Sequence, residues 1–262
     1  MSWNNLGRYG YVTRSSSKFT QFSRSSLHNV ITTSTTSTAV SATVGTVTAS
    51  LNSPFAATYD QYNYDFDGSS GFKLSPMGVA ANANFTIEFW FRLSQDLVKG
   101  GASVYFFSRR ESNSAFSPVE VVCQKETVDY IRMRLLGASG TASWSFTPFG
   151  TKVISVNQWY HVAMVKNGTA ARLYVDGVQD AAGTYGSATL SLVPDYAHIG
   201  YFYNAGSPIN FLKGQMTNIR WTDSAVYTAG FTPPSTPWSS IGSSLFYQPM
   251  SARGQSGVTL NT

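Results

Sequence analysis

The amino-acid sequence predicts an all-β protein built as an antiparallel β-sandwich or barrel. Three observations support this prediction: few charged residues, many residues that favour strands, and apolar side chains at every second position. Charged residues make up 12% of the 262-residue chain, about half the usual share, whereas aromatic residues make up 15%. Tyr, Phe, Trp and Thr are enriched in strands. Many short alternating segments separated by Gly, Pro and Asn are typical of sandwiches and barrels.

The clearest strand is Phe85–Leu93, in which apolar residues on one face alternate with Thr, Glu, Trp and Arg on the other. This period of two predicts a half-buried strand whose apolar face lies toward the core. Ile131, Met133 and Leu135 alternate with two arginines in the same way. Further short strands are predicted at Tyr64–Leu74, Val104–Ser108, Val119–Cys123, Ser143–Phe146, His198–Tyr201, Gln215–Trp221 and Leu245–Gln248.

A β-hairpin is predicted from two strand-like segments, Trp159–Val165 and Arg172–Asp176, that flank Lys166-Asn167-Gly168-Thr169. An Asn-Gly pair supplies the positive φ angles of a type I′ turn, which suits a two-residue hairpin loop. A second turn is predicted directly after this hairpin, at Asp176-Gly177.

Residues 1–57 differ in composition from the rest of the chain and are predicted to form an extended anchoring arm. They contain Arg8, Arg14, Lys18 and Arg24 but no acidic residue, and a stretch rich in Ser and Thr that has little capacity to form a core. The arm is therefore expected to become ordered against other subunits, with a disordered tail as the alternative. A chain without this arm is expected to fold but not to join its assembly.

Strand-like alternation nevertheless occurs near the end of the arm. Small apolar residues alternate with Ser and Thr over 40–44, and after Gly45 the alternation continues over 47–51 with its phase shifted by one residue. Such a shift at a glycine predicts a β-bulge. Two partners are open for this strand, the sandwich itself or a neighbouring subunit.

The rest of the chain is divided into a sandwich over residues 58–240 and a C-terminal strand and tail over 241–262 that pack on it. Cys123 is the only cysteine, so no internal disulfide can form and folding in a reducing cytoplasm is expected. The first residues lack the apolar run of a signal peptide, and no run of about 18 apolar residues occurs. Membrane insertion is therefore not expected, and the dispersed cations do not predict nucleic-acid binding.

Several segments resemble a known family. Phe85–Phe91, Gln158–Val165 and Arg172–Gly177 resemble successive signatures of laminin-G-like, concanavalin A-like jelly rolls, and Leu212–Arg220 resembles their closing strand. Tyr227–Pro234 is similar to a subtype found in bacteriophage virion proteins, especially tail and fibre components. The resemblance covers most of the chain. It implies an antiparallel concanavalin A-like jelly-roll sandwich, preceded here by the N-terminal extended arm.

The sequence lacks the residues that carry catalysis on this fold. Glycosidases of this type place a Glu-x-Asp-x-x-Glu group on one strand so that its carboxylates face the cleft, and that spacing does not occur here. Glu126 and Asp129 are the nearest acidic cluster, and their three-residue offset would place them on opposite faces of a strand. His161, between two apolar residues, is expected to be an ordinary strand histidine. The protein is therefore not expected to be an enzyme.

The resemblance also implies a possible metal site, since members of the family hold Ca²⁺ at the rim of the sandwich with Asp and Asn side chains and backbone carbonyls. Asp65 and Asp67 are the candidate ligands. The alternative is a tight turn without metal, because Asp67-Gly68 is also what such a turn requires. No other cofactor is expected.

Sugar binding needs an exposed aromatic ring beside amide or carboxylate groups. The loop-like segment 199–206 has these residue types, and Tyr203 with Asn204 is the predicted contact pair. The alternative is that this aromatic cluster packs under a neighbouring loop or subunit.

These features predict a structural protein of a phage virion, either a tail or fibre component or a capsid-surface component, that assembles in the host cytoplasm. Its expected partners are other virion proteins and further copies of itself. Its lectin-like sandwich is expected to face outward, where host surface glycans are the candidate ligands. A glycan-binding adhesin and a glycan-degrading enzyme are the alternative functions, since the same sandwich carries several activities.

Overall fold

A computed structural model describes residues 40–45, 47–56, 62–74, 84–109, 119–127, 129–139, 143–146, 149–184, 196–204, 206–237 and 244–248. These residues form seventeen strands, which are β1 Val40–Val44, β2 Thr48–Leu51, β3 Tyr62–Asp67, β4 Gly71–Leu74, β5 Phe85–Leu93, β6 Val104–Arg109, β7 Val119–Gln124, β8 Arg132–Ser139, β9 Ser143–Phe146, β10 Trp159–Asn167, β11 Ala170–Val175, β12 Val178–Thr184, β13 Ala197–Ile199, β14 Phe202–Asn204, β15 Ser207–Ile209, β16 Lys213–Thr222 and β17 Ser244–Gln248. The arm residues Arg8, Arg14, Lys18 and Arg24 lie outside the described ranges.

The strands form two large antiparallel sheets that pack face to face. One sheet has seven strands in the order β1-β4-β13-β6-β7-β8-β9. The other has eight, in the order β12-β11-β10-β5-β16-β3-β2 with β17 also paired to β16. The ranges given above contain no helix, and so none that is long and apolar enough to cross a membrane. The all-β antiparallel sandwich predicted from the sequence is confirmed.

The core lies between the two sheets and is filled from alternate positions of the strands. In β5 the whole predicted inner face is buried, namely Phe85, Ile87, Phe89, Phe91 and Leu93. Rings meet across the core, where the Phe91 and Phe106 centroids lie 4.5 Å apart. Burying each such side chain is worth about 1.5–3 kcal/mol of transfer free energy. Cys123 belongs to the same core, and burial raises the pKa of its thiol.

Two predicted strand boundaries are wrong, because the chain changes sheets at Gly45 and at Gly68. β1 pairs with β4 in the seven-stranded sheet, whereas β2 pairs with β3 in the eight-stranded sheet. The phase shift at Gly45 is therefore a crossing and not a β-bulge, and the predicted strand Tyr64–Leu74 is two strands in different sheets. Both glycines have positive φ, 66° and 92°, a region that strains residues with a Cβ. The two crossing segments pack against each other, since a Cβ on Gly45 would lie 2.9 Å from the Ser69 carbonyl oxygen.

The alternating segment before residue 52 pairs with the sandwich, which decides between the two partners left open by the sequence. β1 and β2 each lie at the edge of a sheet. Val47, between them, is 2% exposed and belongs to the main core. Two strands of the sandwich therefore come from the range that the sequence assigned to the arm.

A truncation should accordingly separate the two parts of that range. Deletion of residues 1–39 is expected to leave the melting temperature almost unchanged, because it removes none of the strands that the structure describes. Deletion of residues 1–57 removes β1 and β2 and the buried Val47 and Phe55, each worth about 2 kcal/mol, and should lower the melting temperature by about 10 °C or more. Thermal circular dichroism measures both, and equal melting temperatures would show that β1 and β2 do not belong to the folded sandwich.

The hairpin of β10 and β11 is confirmed, and its register leaves Gly168 and Thr169 as the loop. Only Gly168 has a positive φ, 58°, so the predicted type I′ turn does not form there. The following loop, between β11 and β12, has a φ of 51° at Asp176 and 76° at Gly177, which is the type I′ pattern. This turn starts the edge strand β12, which the sequence did not predict.

The closing part of the chain also follows the sequence in outline. The predicted strand at His198–Tyr201 ends instead at Ile199, because Gly200 turns the chain with a φ of 85°. The predicted C-terminal strand is confirmed as β17, which pairs with the second half of β16. β3 pairs with the first half of the same edge, so two strands, β3 and β17, pair one after the other along this edge of β16. Residues 249–262 lie outside the described ranges.

Candidate functional site

A row of side chains runs across the outer face of the eight-stranded sheet, one from each of five adjacent strands. In register order they are Trp159, Arg92, Gln215, Asp65 and Thr48, from β10, β5, β16, β3 and β2. They point away from the core, since alternate residues of a strand face opposite sides and the flanking residues are in the core. Gln215 is 7% exposed, and the other four are more exposed. We call these five residues the polar row.

A closed ring of hydrogen bonds holds Gln215 in the row. Gln215 Nε2 donates to Ser50 Oγ (3.0 Å), Ser50 Oγ to Asn63 Oδ1 (2.8 Å), Asn63 Nδ2 to the Asn52 carbonyl oxygen, and Asn52 Nδ2 to Gln215 Oε1 (3.2 Å). Gln215 Oε1 also accepts from Arg92 Nη1 at 2.9 Å. Both ends of this amide are therefore fixed, and the ring sets the Asn52 side chain against the row.

Trp159 provides the aromatic surface of the row. Its indole Nε1 donates a long hydrogen bond to Asn52 Oδ1, at 3.4 Å. On the same face, Trp90 packs edge-to-face against Phe55 and His161, with centroid distances of 6.0 and 5.2 Å. An aromatic surface beside amide, guanidinium and carboxylate groups can stack on the C–H face of a sugar and hydrogen-bond its hydroxyls.

Arg92 and Asp65 give the row one positive and one negative group. Partial burial raises the pKa of the Asp65 carboxyl above its ordinary value. The positive charge of Arg92 acts in the opposite direction and the negative charge of Asp67 adds to the rise, so the net pKa shift is upward. The formal charges of Arg92 and Asp65 cancel while the carboxyl is ionised.

Asp67, the second predicted calcium ligand, lies at the end of β3 in a turn. Its Oδ1 accepts hydrogen bonds from the Ser69 backbone N–H at 2.8 Å and from Ser69 Oγ at 2.9 Å. The hydrogen bond from the Ser69 backbone is the main cause that lowers the pKa of Asp67. With Gly68 at positive φ, Asp67 and Gly68 form a tight turn. Within the described part of the chain, no three His, Cys, Asp or Glu side chains are grouped as metal ligands.

The predicted sugar contacts Tyr203 and Asn204 lie on the other side of the sandwich, away from the polar row. They belong to β14, which pairs with β15. The preceding Phe202 stacks on Tyr105 of β6 at 4.6 Å between centroids, in a small apolar cluster separate from the main core. Tyr203 stacks on the buried ring of His198 at 5.3 Å. One face of the Tyr203 ring is thus covered from within the chain.

A second polar group on the same sheet face as the row is buried. Glu88 of β5 is 0% exposed, and its carboxylate accepts hydrogen bonds from Arg220 and from the Tyr227 hydroxyl, the latter at 2.8 Å. His161 Nε2 lies 3.4 Å from the same carboxylate. Phe231 stacks on Tyr227 and meets the His161 ring edge-to-face. Residues 227–234, which we call the strap, therefore cover this cluster.

The acidic cluster considered for catalysis is not on a strand. Glu126 and Asp129 both follow the end of β7. Glu126 Oε1 lies 3.4 Å from Arg134 Nη1, and Asp129 Oδ1 lies 3.1 Å from Lys99 Nζ. The expectation that these two carboxylates occupy opposite faces of one strand is therefore wrong, since the strand ends before them.

The sequence pointed to only part of this site. Asp65 was selected, but as a metal ligand, and Arg92 was recognised only as an outward residue of its strand. Trp159 was identified only as the first residue of a predicted strand, and it faces outward while the neighbouring Tyr160 is buried. The available signal was the alternation within β10, in which Tyr160, Val162 and Met164 form the apolar face and the odd positions face out.

Comparisons with known proteins agree with the fold. The model of the concanavalin A-like lectin/glucanases superfamily matches residues 66–229, more than half of the chain. Tailspike protein 2 of the Escherichia coli O157:H7 bacteriophage CAB120 is 12% identical over 79% of this chain and 30% of its own, with a TM-score of 0.51. A heptameric pentraxin from Limulus polyphemus is 17% identical over 63% of this chain and 76% of its own, with a TM-score of 0.49. A search of curated protein sequences gives no match.

Proposed function

The chain belongs to the concanavalin A-like lectin/glucanases superfamily, and on that premise we propose that it is a glycan-binding structural protein of a phage virion. In this proposal the sandwich faces outward from the particle and binds host surface sugars through the polar row. It binds without catalysing a reaction in this proposal, since the Glu-x-Asp-x-x-Glu spacing of glycosidases on this fold does not occur in the sequence. The chain assembles in the host cytoplasm with other virion proteins and with further copies of itself.

The polar row is the observation that carries the glycan-binding part of the proposal. It combines the partly exposed indole of Trp159 with one amide, one guanidinium and one carboxylate on adjacent strands. The hydrogen-bond ring fixes the amide of Gln215 before any ligand arrives. Fixed polar groups lose less conformational entropy on binding, which favours affinity for a small polar ligand.

The virion part of the proposal is supported by two weaker observations. The strap sequence, Tyr-Thr-Ala-Gly-Phe-Thr-Pro-Pro, resembles a subtype from bacteriophage virion proteins. A bacteriophage tailspike also contains a domain of this fold, over about a third of its length. The arm residues Arg8, Arg14, Lys18 and Arg24 complete the proposal as the group that docks on acidic surfaces of other virion proteins.

Binding of the purified protein to a glycan array tests the proposed ligand. We expect specific binding that falls about thirtyfold in the Trp159→Ala variant, since loss of a central aromatic contact costs about 2 kcal/mol. Tyr203→Ala is the matched control, because it removes one aromatic ring from the opposite side of the sandwich. It should leave the affinity unchanged.

Two results would contradict the proposal in different ways. If Tyr203→Ala loses binding and Trp159→Ala keeps it, the glycan site is the β14–β15 hairpin and not the polar row. If the wild-type protein binds no glycan, the lectin function is wrong.

Gold-labelled antibodies against the sandwich, applied to intact phage particles in electron micrographs, test the virion location separately, and unlabelled particles would refute it.

A further inference from the structure

We infer that the polar row takes an uncharged sugar unit and rejects acidic sugars such as uronic and sialic acids. This inference rests on the proposed glycan-binding function and adds the class of ligand. It is carried by the balance of charge across the row and by the kind of hydrogen-bonding atom that each side chain has available.

The two charges of the row cancel. The Arg92 guanidinium is balanced by the Asp65 carboxylate, which lies on the same sheet face with Gln215 between them. A ligand carboxylate drawn to Arg92 would therefore also come close to Asp65, and like charges at a partly buried site repel strongly.

The hydrogen-bonding atoms of the row also favour hydroxyl groups of a ligand over its carboxylates. Gln215 Oε1 already accepts two hydrogen bonds and its Nε2 donates one within the ring. The Asn52 amide nitrogen is used by Gln215, so Asn52 turns its oxygen toward Trp159. Asn52 Oδ1 and the Asp65 carboxylate are acceptors, and they need donors from the ligand. A sugar hydroxyl donates to these groups and accepts from Arg92, whereas a carboxylate can only accept.

The test is a direct comparison of neutral and acidic oligosaccharides on one array, with wild-type protein and the Asp65→Asn variant. Wild-type protein should bind neutral glycans at least about tenfold more tightly than their uronic-acid or sialic-acid counterparts. Asp65→Asn removes the negative charge and keeps the side-chain shape, so it should gain binding to the acidic glycans by about tenfold. Asp67→Asn is the control, because that carboxylate is engaged by Ser69 in its turn and should leave the preference unchanged.

The outcomes separate this inference from the function on which it rests. A wild-type preference for acidic glycans overturns the inference and leaves glycan binding intact. Loss of all binding in Asp65→Asn, with an unchanged circular dichroism spectrum and no gain on acidic glycans, also overturns it. If the wild-type protein binds neither class, both the inference and the proposed function fail.

Discussion

Replacing Glu88 by Ala is expected to lower the free energy of unfolding by about 3–5 kcal/mol, because it breaks a largely buried ion pair with Arg220. Glu88 is 0% exposed, and Arg220, whose side chain is 15% exposed, donates to its carboxylate. The Tyr227 hydroxyl would also lose its acceptor. Urea unfolding monitored by circular dichroism gives the free energy directly.

Asp96→Ala provides the matched control for that measurement. Asp96 also accepts from a cation, Lys125 at 2.8 Å, but its side chain is 63% exposed. Exposed ion pairs of this kind contribute about 0–1 kcal/mol. Equal losses in Glu88→Ala and Asp96→Ala would show that burial does not make the Glu88 cluster important for stability.

The same cluster predicts how stability depends on pH. Burial alone would raise the pKa of Glu88, but interactions with His161 and Arg220 outweigh burial and hold the pKa below its ordinary value of 4.5. A lowered pKa in the folded state means that the contribution of Glu88 is fully present above pH 4.5 and is lost as the pH falls through the folded-state value. The free energy of unfolding of Glu88→Ala should therefore fall less than that of the wild-type protein as the pH is lowered below 4.5.

Gly177→Ala is expected to destabilise the protein by about 3 kcal/mol, since it combines a backbone penalty with a steric clash. Gly177 has a φ of 76°, and a Cβ built there would lie 1.8 Å from the Phe231 carbonyl oxygen. The strap is anchored at this point, because the Phe231 N–H donates to the Gly177 carbonyl at 3.0 Å. The added methyl group must therefore push the strap away from the sheet.

Gly168→Ala separates the two causes. Gly168 also occupies a hairpin loop with positive φ, 58°, but a Cβ there would meet no atom within 4 Å. It should cost only the backbone penalty of about 1 kcal/mol. If the midpoints of urea unfolding shift equally in the two variants, Phe231 is not held against Gly177 and the strap is not a fixed part of the fold.

The strands that the sequence predicted best are those with large side chains on one face. β5 and β10 combine aromatic and branched residues at alternate positions, so the buried face is visible without any knowledge of neighbouring strands. β12 is different, because only Ala181 among its seven residues is buried. An edge strand of small and polar residues contributes little to the core, and local sequence therefore carries little signal for it.

The crossings at Gly45 and Gly68 show a second limit. In both segments the alternation continues with apolar residues on each side of the glycine, and this pattern fits a bulged or continuous strand as well as two strands in different sheets. The partners decide between these cases, since β1 pairs with β4 and β2 with β3. Such pairing is a property of the folded chain and not of the segment itself.

The candidate site was hard to predict for the same reason. Asp65, Arg92, Trp159 and Gln215 come from four distant parts of the sequence, and only the register of β3, β16, β5 and β10 places them side by side. Tyr203 and Asn204 were easier to select because they are adjacent in the sequence. Their proximity along the chain gave no information about the His198 ring that covers Tyr203.

A crystal structure of the protein with a bound neutral oligosaccharide tests the central claim most directly, since it locates the ligand without a variant. We expect one sugar ring to stack on Trp159, with its hydroxyls hydrogen-bonded to Arg92, Asp65 and the Asn52 side chain. A sugar bound at Tyr203 and Asn204, or anywhere else away from the polar row, would contradict the claim that the outer face of the eight-stranded sheet is the binding surface.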